Sequence, residues 1–121
     1  MKKFTAALAV MGTVAFQAFP ASAEPVKIGM VVTLSGPPAA LGQQVVDGFK
    51  LALEEKGGQL GGQEIELVVE DDELKPDVAL SKANALVERE EVDLMVGTVF
   101  SNMLQAIFRP VVESETFLIS P

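Results

Sequence analysis

Histidine, cysteine, tryptophan and tyrosine are all missing from the 121 residues. Without imidazole or thiolate there is no His- or Cys-ligated metal site, no histidine-based triad, no cysteine nucleophile and no disulfide. Aromatic cages of Trp and Tyr are excluded with them, and nothing in the chain implies a cofactor or a metal. Basic residues are few: 9 Lys and Arg stand against 17 Asp and Glu, a net charge of −8. A surface that acidic argues against nucleic acid or an anionic membrane as partner. No G-x-G-x-x-G follows the first strand and no G-x-S-x-G elbow occurs, so the residues that α/β enzymes place at these turns are lacking. The glycine-rich stretch 57–62 is not a phosphate loop either, because no Lys-Ser/Thr follows it and no helix opens there.

What the chain does contain is a globular composition, 49% hydrophobic and 21% charged, in a length that makes one domain with one core. Residues 1–23 read as a secretory leader. Lys2 and Lys3 form the basic start, residues 4–19 the apolar run, and Ala21-Ser22-Ala23 the small-residue cleavage site. The run is shorter than the roughly 20 residues that span a bilayer. A lipoprotein leader needs a Cys at its cleavage point, and there is none. The expectation is therefore a soluble periplasmic protein starting at Glu24, its charge moved from −8 to −10 by loss of the two leader lysines.

From residue 26 strand and helix patterns alternate. Val26-Lys27-Ile28-Gly29-Met30-Val31-Val32-Thr33 is β-branched and, towards its end, apolar on both faces, as a central parallel strand is. Leu41, Val45, Phe49, Ala52 and Leu53 then recur at helical spacing over 40–56, with Gly57 to Gly62 as a turn. A second strand over 63–70 ends in Asp71-Asp72-Glu73, an acidic group read as a solvated strand end and a dipole-compensating helix start. Pro76 opens the next helix, with Ala79, Ala83, Leu86 and Val87 as its buried stripe. A third strand over 93–97 leads to a helix with Leu104, Ile107, Phe108, Val111 and Val112 apolar and Pro110 inside it; a fourth strand covers 116–120. This alternation predicts an α/β fold: an open parallel sheet with helices on both faces. If the strand order is 2-1-3-4, the turns after strands one and three flank the point where order reverses and ligands bind.

The turn Gly97-Thr98-Val99-Phe100-Ser101-Asn102-Met103-Leu104 is the candidate site. Ser101 is placed to cap the third helix. Leu104 stands where a capping box would put Glu or Gln, and no carboxylate follows until Glu113. The first helix also opens without acid, whereas the second opens among Asp71, Asp72, Glu73 and Asp77. Acid is thus kept off the two helix ends that would face the crevice, which favours a ligand with a negative group.

Leu34-Ser35-Gly36-Pro37 with Gly42, Gly48-Phe49-Lys50-Leu51-Ala52, Glu70-Asp71-Asp72 with Pro76, Val96-Gly97 before Ser101, and Ile119-Ser120-Pro121 together resemble the first lobe of bacterial branched-chain amino acid binding proteins. The resemblance runs in order through residues 24–121. It implies a partial N-terminal lobe of a two-lobed extracytoplasmic receptor, which delivers a solute to the membrane subunits of an ABC importer. A sensor domain of the same fold is the alternative. It also implies that Ser101 and neighbouring amides, in the turn through Asn102 and Met103, hold a ligand carboxylate, and that Leu41 lines the cleft. The family often has an aromatic residue at the position of Leu41 and a second Ser at that of Asn102. The turn from Gly97 to Met103 resembles a branch of the family associated with aromatic or other organic acids, so the expected ligand is a branched-chain amino acid or a related organic or aromatic acid.

Overall fold

The structure, a computed structural model, describes residues 23–120. Residues 1–22, which carry all but the last residue of the leader expected over 1–23, and Pro121 lie outside the described residues. The chain runs β1 (Val26–Val32), α1 (Ala39–Glu55), β2 (Gln59–Leu60), β3 (Gln63–Asp71), α2 (Pro76–Glu88), β4 (Leu94–Val96), α3 (Ser101–Glu113) and β5 (Phe117–Ile119). Strand order is β2-β3-β1-β4-β5. β1 lies parallel between β3 and β4, and β5 joins β4 in parallel. The expected order 2-1-3-4 is this β3-β1-β4-β5 arrangement. It differs only by β2, a two-residue strand that the glycine-rich turn conceals. Gly61 and Gly62 have φ of +60° and +82°, which folds Gln59–Leu60 back antiparallel on Gln63 and Glu64.

Local chemistry sets the ends of the helices. Pro76 is the first residue of α2, where its missing N–H costs nothing, after an extended Lys75. α1 stops at Gly57 and Gly58: the Gly57 amide donates to Glu54 O and the Gly58 amide to Leu53 O, a closing pattern that needs the positive φ of Gly57. Among the described residues no helix is long and apolar enough to cross a membrane.

β1 is the centre of the sheet, and Met30, Val31 and Val32 are fully buried. Alternation along the strand sends Val31 to the face covered by α2 and α3, in one cluster with Ala79, Ala83, Leu86, Met95, Met103, Ile107 and Val111. Met30 and Val32 point to the other face, where α1 supplies Val46.

Two helix stripes are rotated from the expected ones. In α1 the buried residues are Gly42 and Val46, while Leu41 and Ala52 are exposed. A Cβ on Gly42 would overlap the Thr33 carbonyl, so only this face lets the helix backbone approach β1 so closely. In α3 the buried row is Met103, Ile107 and Val111, and Phe108 and Val112 are exposed. Both rows are apolar, and periodicity cannot say which one turns inward.

Candidate functional site

Met30 of β1 pairs with Val96 of β4, so the carboxyl ends of these strands lie side by side. From there the chain departs in opposite senses, through α1 to β3 on one flank and through α3 to β5 on the other. Strand order reverses at this point, and it leaves a crevice between the two turns.

The turn after β1 is held by two aspartates from the end of β3. Asp71 Oδ1 accepts from the Leu34 amide at 2.8 Å and from the Glu73 amide at 2.9 Å. Burial pushes the Asp71 carboxyl up, but the amides of Leu34 and Glu73, with the hydroxyl and amide of Ser35, outweigh that and leave it below the ordinary carboxylate value. Asp72 is fully buried; its Oδ1 accepts from the Thr33 hydroxyl at 2.6 Å and the Leu74 amide at 2.8 Å. Its Oδ2 has no partner among the described residues. The expected solvated strand end holds for exposed Glu73 and is corrected for Asp71 and Asp72. The two aspartates are structural ties, Asp72 buried and Asp71 partly so, because the Leu34 and Leu74 amides need acceptors that no strand or helix provides. Among the described residues no three acidic side chains come together as a metal site.

The turn after β4 is narrower. Gly97 has φ of +127°, and a Cβ there would overlap the Val31 carbonyl. Its amide donates to Ile119 O at 3.0 Å, tying the turn to β5. The Thr98 hydroxyl donates to Phe100 O at 2.9 Å. That carbonyl also accepts from the amides of Met103 at 3.0 Å and Leu104 at 3.1 Å.

Phe100, extended at φ −116° and ψ 138°, is the N-cap of α3, and no side chain caps the helix. Ser101 is the first helical residue rather than the cap. The Phe100 carbonyl takes the Leu104 amide as the first helical bond, which starts the helix one residue early and leaves the Ser101 hydroxyl exposed and uncommitted. The amides of Ser101 and Asn102 have no carbonyl to reach within the helix. No acidic residue lies in the first turn, as is also true of α1, whereas α2 carries Asp77 there. The helix end thus keeps its partial positive charge.

Ser101 joins Thr98, Val99, Phe100, Leu104 and Ser120 around a cleft of about 60 Å³. Ser120 enters from the end of β5, a contribution that only the strand order reveals. Leu41 projects from the first turn of α1 at the same end of the sheet, 49% exposed, but is not part of this cleft. Asn102 is exposed beside it. Met103 is different: its side chain is fully buried in the core, and its amide is taken by Phe100. It supports the turn from beneath, with neither side chain nor amide facing the cleft. A larger depression of about 640 Å³ lies at the amino ends of the strands, lined by Glu24, Lys27, Glu66, Glu91 and Asp93 among others. It is at the wrong end of the sheet for the crevice and no helix amide points into it.

Residues 25–121 match the sequence model of the periplasmic binding proteins. The chain belongs to this family. A Leu/Ile/Val-binding protein of Rhizobium johnstonii is 32% identical over 99 residues, covering 79% of this chain and 26% of that protein. Among solved structures, a solute-binding protein of R. palustris in complex with benzoate is 33% identical at a TM-score of 0.77, covering 81% of this chain and 27% of the other. The branched-chain amino acid transporter substrate-binding protein of Streptococcus pneumoniae, in complex with isoleucine, is 31% identical at a TM-score of 0.76, with coverage of 81% and 29%. The chain thus spans between a quarter and a third of the length of these relatives, and within that span it has the fold of the type I periplasmic binding proteins.

Proposed function

We infer that this chain is the amino-terminal part of a receptor which captures an organic carboxylate in the periplasm and hands it to the membrane subunits of an ABC importer. The binding part is the β4–α3 turn, and the role is capture rather than catalysis. The observation that carries this reading is the start of α3. It opens at the crevice of the sheet with an acid-free first turn, unsatisfied amides on Ser101 and Asn102, and a Ser101 hydroxyl that caps nothing. Such an end takes a carboxylate through charge-assisted hydrogen bonds. Relatives crystallised with benzoate and with isoleucine support the same chemistry, since the two ligands share a carboxylate and an apolar body. Exposed Leu41 at the mouth of the crevice suits that apolar body.

The cleft itself, about 60 Å³, is far below the roughly 300–1,000 Å³ of small-molecule sites. The missing walls belong to a second lobe that closes over the ligand, and the leader over residues 1–23 accounts for export. Calorimetric titration of benzoate and isoleucine into this lobe, completed to a full-length receptor, tests the reading. Ser101→Ala is expected to weaken binding by about 1–3 kcal/mol, the effect of leaving a charged acceptor short of one donor. Unchanged affinity for both acids in the variant would remove Ser101 from the site.

A further inference from the structure

Thr98 is 4% exposed, and its hydroxyl is committed to Phe100 O. That carbonyl has no need of it. Its two lone pairs are already met by the amides of Met103 and Leu104, so the hydroxyl is a third donor on an acceptor that two would satisfy. A buried position that only had to be filled would suit valine as well, with the same branching and no polar group to desolvate. The hydroxyl does something that packing does not. It closes a link from residue 98 to residue 100, between Gly97, locked against the Val31 carbonyl, and Ser101, the first residue of α3. The orientation of the peptide joining Phe100 to Ser101 follows from that link. The Ser101 N–H belongs to this peptide, and the Asn102 N–H to the next.

We propose that Thr98 is a positioning residue: its hydroxyl fixes the Phe100 carbonyl and so aims the Ser101 amide of the same peptide at an anionic ligand in the cleft that Ser101 lines. The inference rests on the carboxylate reading above, and it extends that reading to a residue whose hydroxyl is already taken by the backbone. Because the hydroxyl acts through the amide, it matters for the charged head of a ligand and not for its apolar body.

The test uses the completed receptor, with benzoate as the probe and benzamide, of the same shape without the charge, as the control. Thr98→Val is expected to raise the benzoate Kd about three- to tenfold, as for charge-assisted bonds that are misaligned rather than lost, with little change in the benzamide Kd. Thr98→Ser, which keeps the hydroxyl, restores benzoate binding. Should the valine variant fail to fold, Thr98→Ala carries the same expectation. Benzoate affinity unmoved by Val or Ala overturns the proposal while leaving the carboxylate site intact. Equal weakening of both ligands, or no rescue by Ser, also overturns it, since a packing role would produce either. A parent receptor that binds no benzoate and no other carboxylate removes the site reading, and the proposal with it.

Discussion

The two faces of the sheet are held by different forces. Under α2 and α3 a closed core contains Val31, Ala79, Ala83, Leu86, Val92, Met95, Met103, Ile107 and Val111; under α1 the sealed cluster is the smaller set Met30, Val32 and Val46, with Ile28 buried on the same side of β1 and Val45 and Phe49 partly exposed. What keeps α1 in place is in large part polar and local. Gly42 lies against the Thr33 carbonyl, Asp72 holds the Thr33 hydroxyl, and Asp71 holds the Leu34 amide. One helix pair is fixed by burial and the other helix by the turn that leads into it. The crevice lies at the seam, so its α3 side stands on a rigid base while its α1 side depends on two carboxylates.

The largest expected effect tests the packed face. Ile107→Ala empties a fully buried site surrounded by core residues and should cost about 2–5 kcal/mol of unfolding free energy. Val46→Ala, on the thin face, removes two methyl groups and should cost about 1–2 kcal/mol, their transfer value, because the partly exposed Val45 and Phe49 can close over the space. Urea unfolding of residues 24–121 measures both. Equal losses would mean that α1 is as firmly packed as α3 and that the contrast is false.

A smaller effect should appear at the polar ties. The Asp71 carboxyl sits below its ordinary value in the folded chain, so its contribution is fully present above the unfolded carboxylate value of about 3.9 and is lost as pH falls through the lower folded value. Asp71→Ala should remove about 1 kcal/mol at neutral pH, the effect of taking a charged acceptor from the part-buried Leu34 amide and the exposed Glu73 amide. It should also flatten this part of the acid limb of stability. Hydrogen exchange gives the sharper reading: in the variant, amides of α1 should lose protection while those of α3 keep theirs. Uniform loss across both helices would show that the turn after β1 supports the whole sheet.

Much of this was legible in the residues. The β-branched run of β1 and the alternation of strands and helices indicated the fold and the strand order around the crevice, and the acid-free starts of two helices were plain in the residues. What stayed hidden depended on contacts between distant segments. Met103 and Leu104 head two equally apolar rows of α3, and only packing against Val31 and Met95 selects the row of Met103. Ser101 reads as a cap until the Phe100 carbonyl is seen to take the Leu104 amide, which puts the cap one residue earlier. Asp72 looks like any acid at a strand end, because the Thr33 hydroxyl that draws it inward is 39 residues away. The shift of α1 to the Gly42 face has the same origin, since a glycine in a helix reads as a weakness until a carbonyl is found against it.

The smallest expected effect sharpens the comparison at the sheet's edge. β5 pairs in register with β4, Met95 beside Leu118 and Val96 beside Ile119, so Leu118 shares the packed face while Phe117 and Ile119 share the face of α1. α1 does not reach that far: Phe117 is 79% and Ile119 57% exposed. Burial there contributes almost nothing, so Phe117→Thr, which keeps a β-branched residue in the strand, should leave the unfolding free energy of residues 24–121 within about 0.5 kcal/mol. It should instead reduce self-association, because an apolar side chain on an open strand edge is where a second copy would add. Sedimentation of parent and variant over a range of concentrations reads that effect directly. In a completed receptor the same substitution should become costly, by about 1.5–3 kcal/mol, if a later part of the chain covers this face and buries Phe117. A neutral result there as well would mean that the α1 face stays open in the whole protein, and that its thinness is a property of the lobe itself.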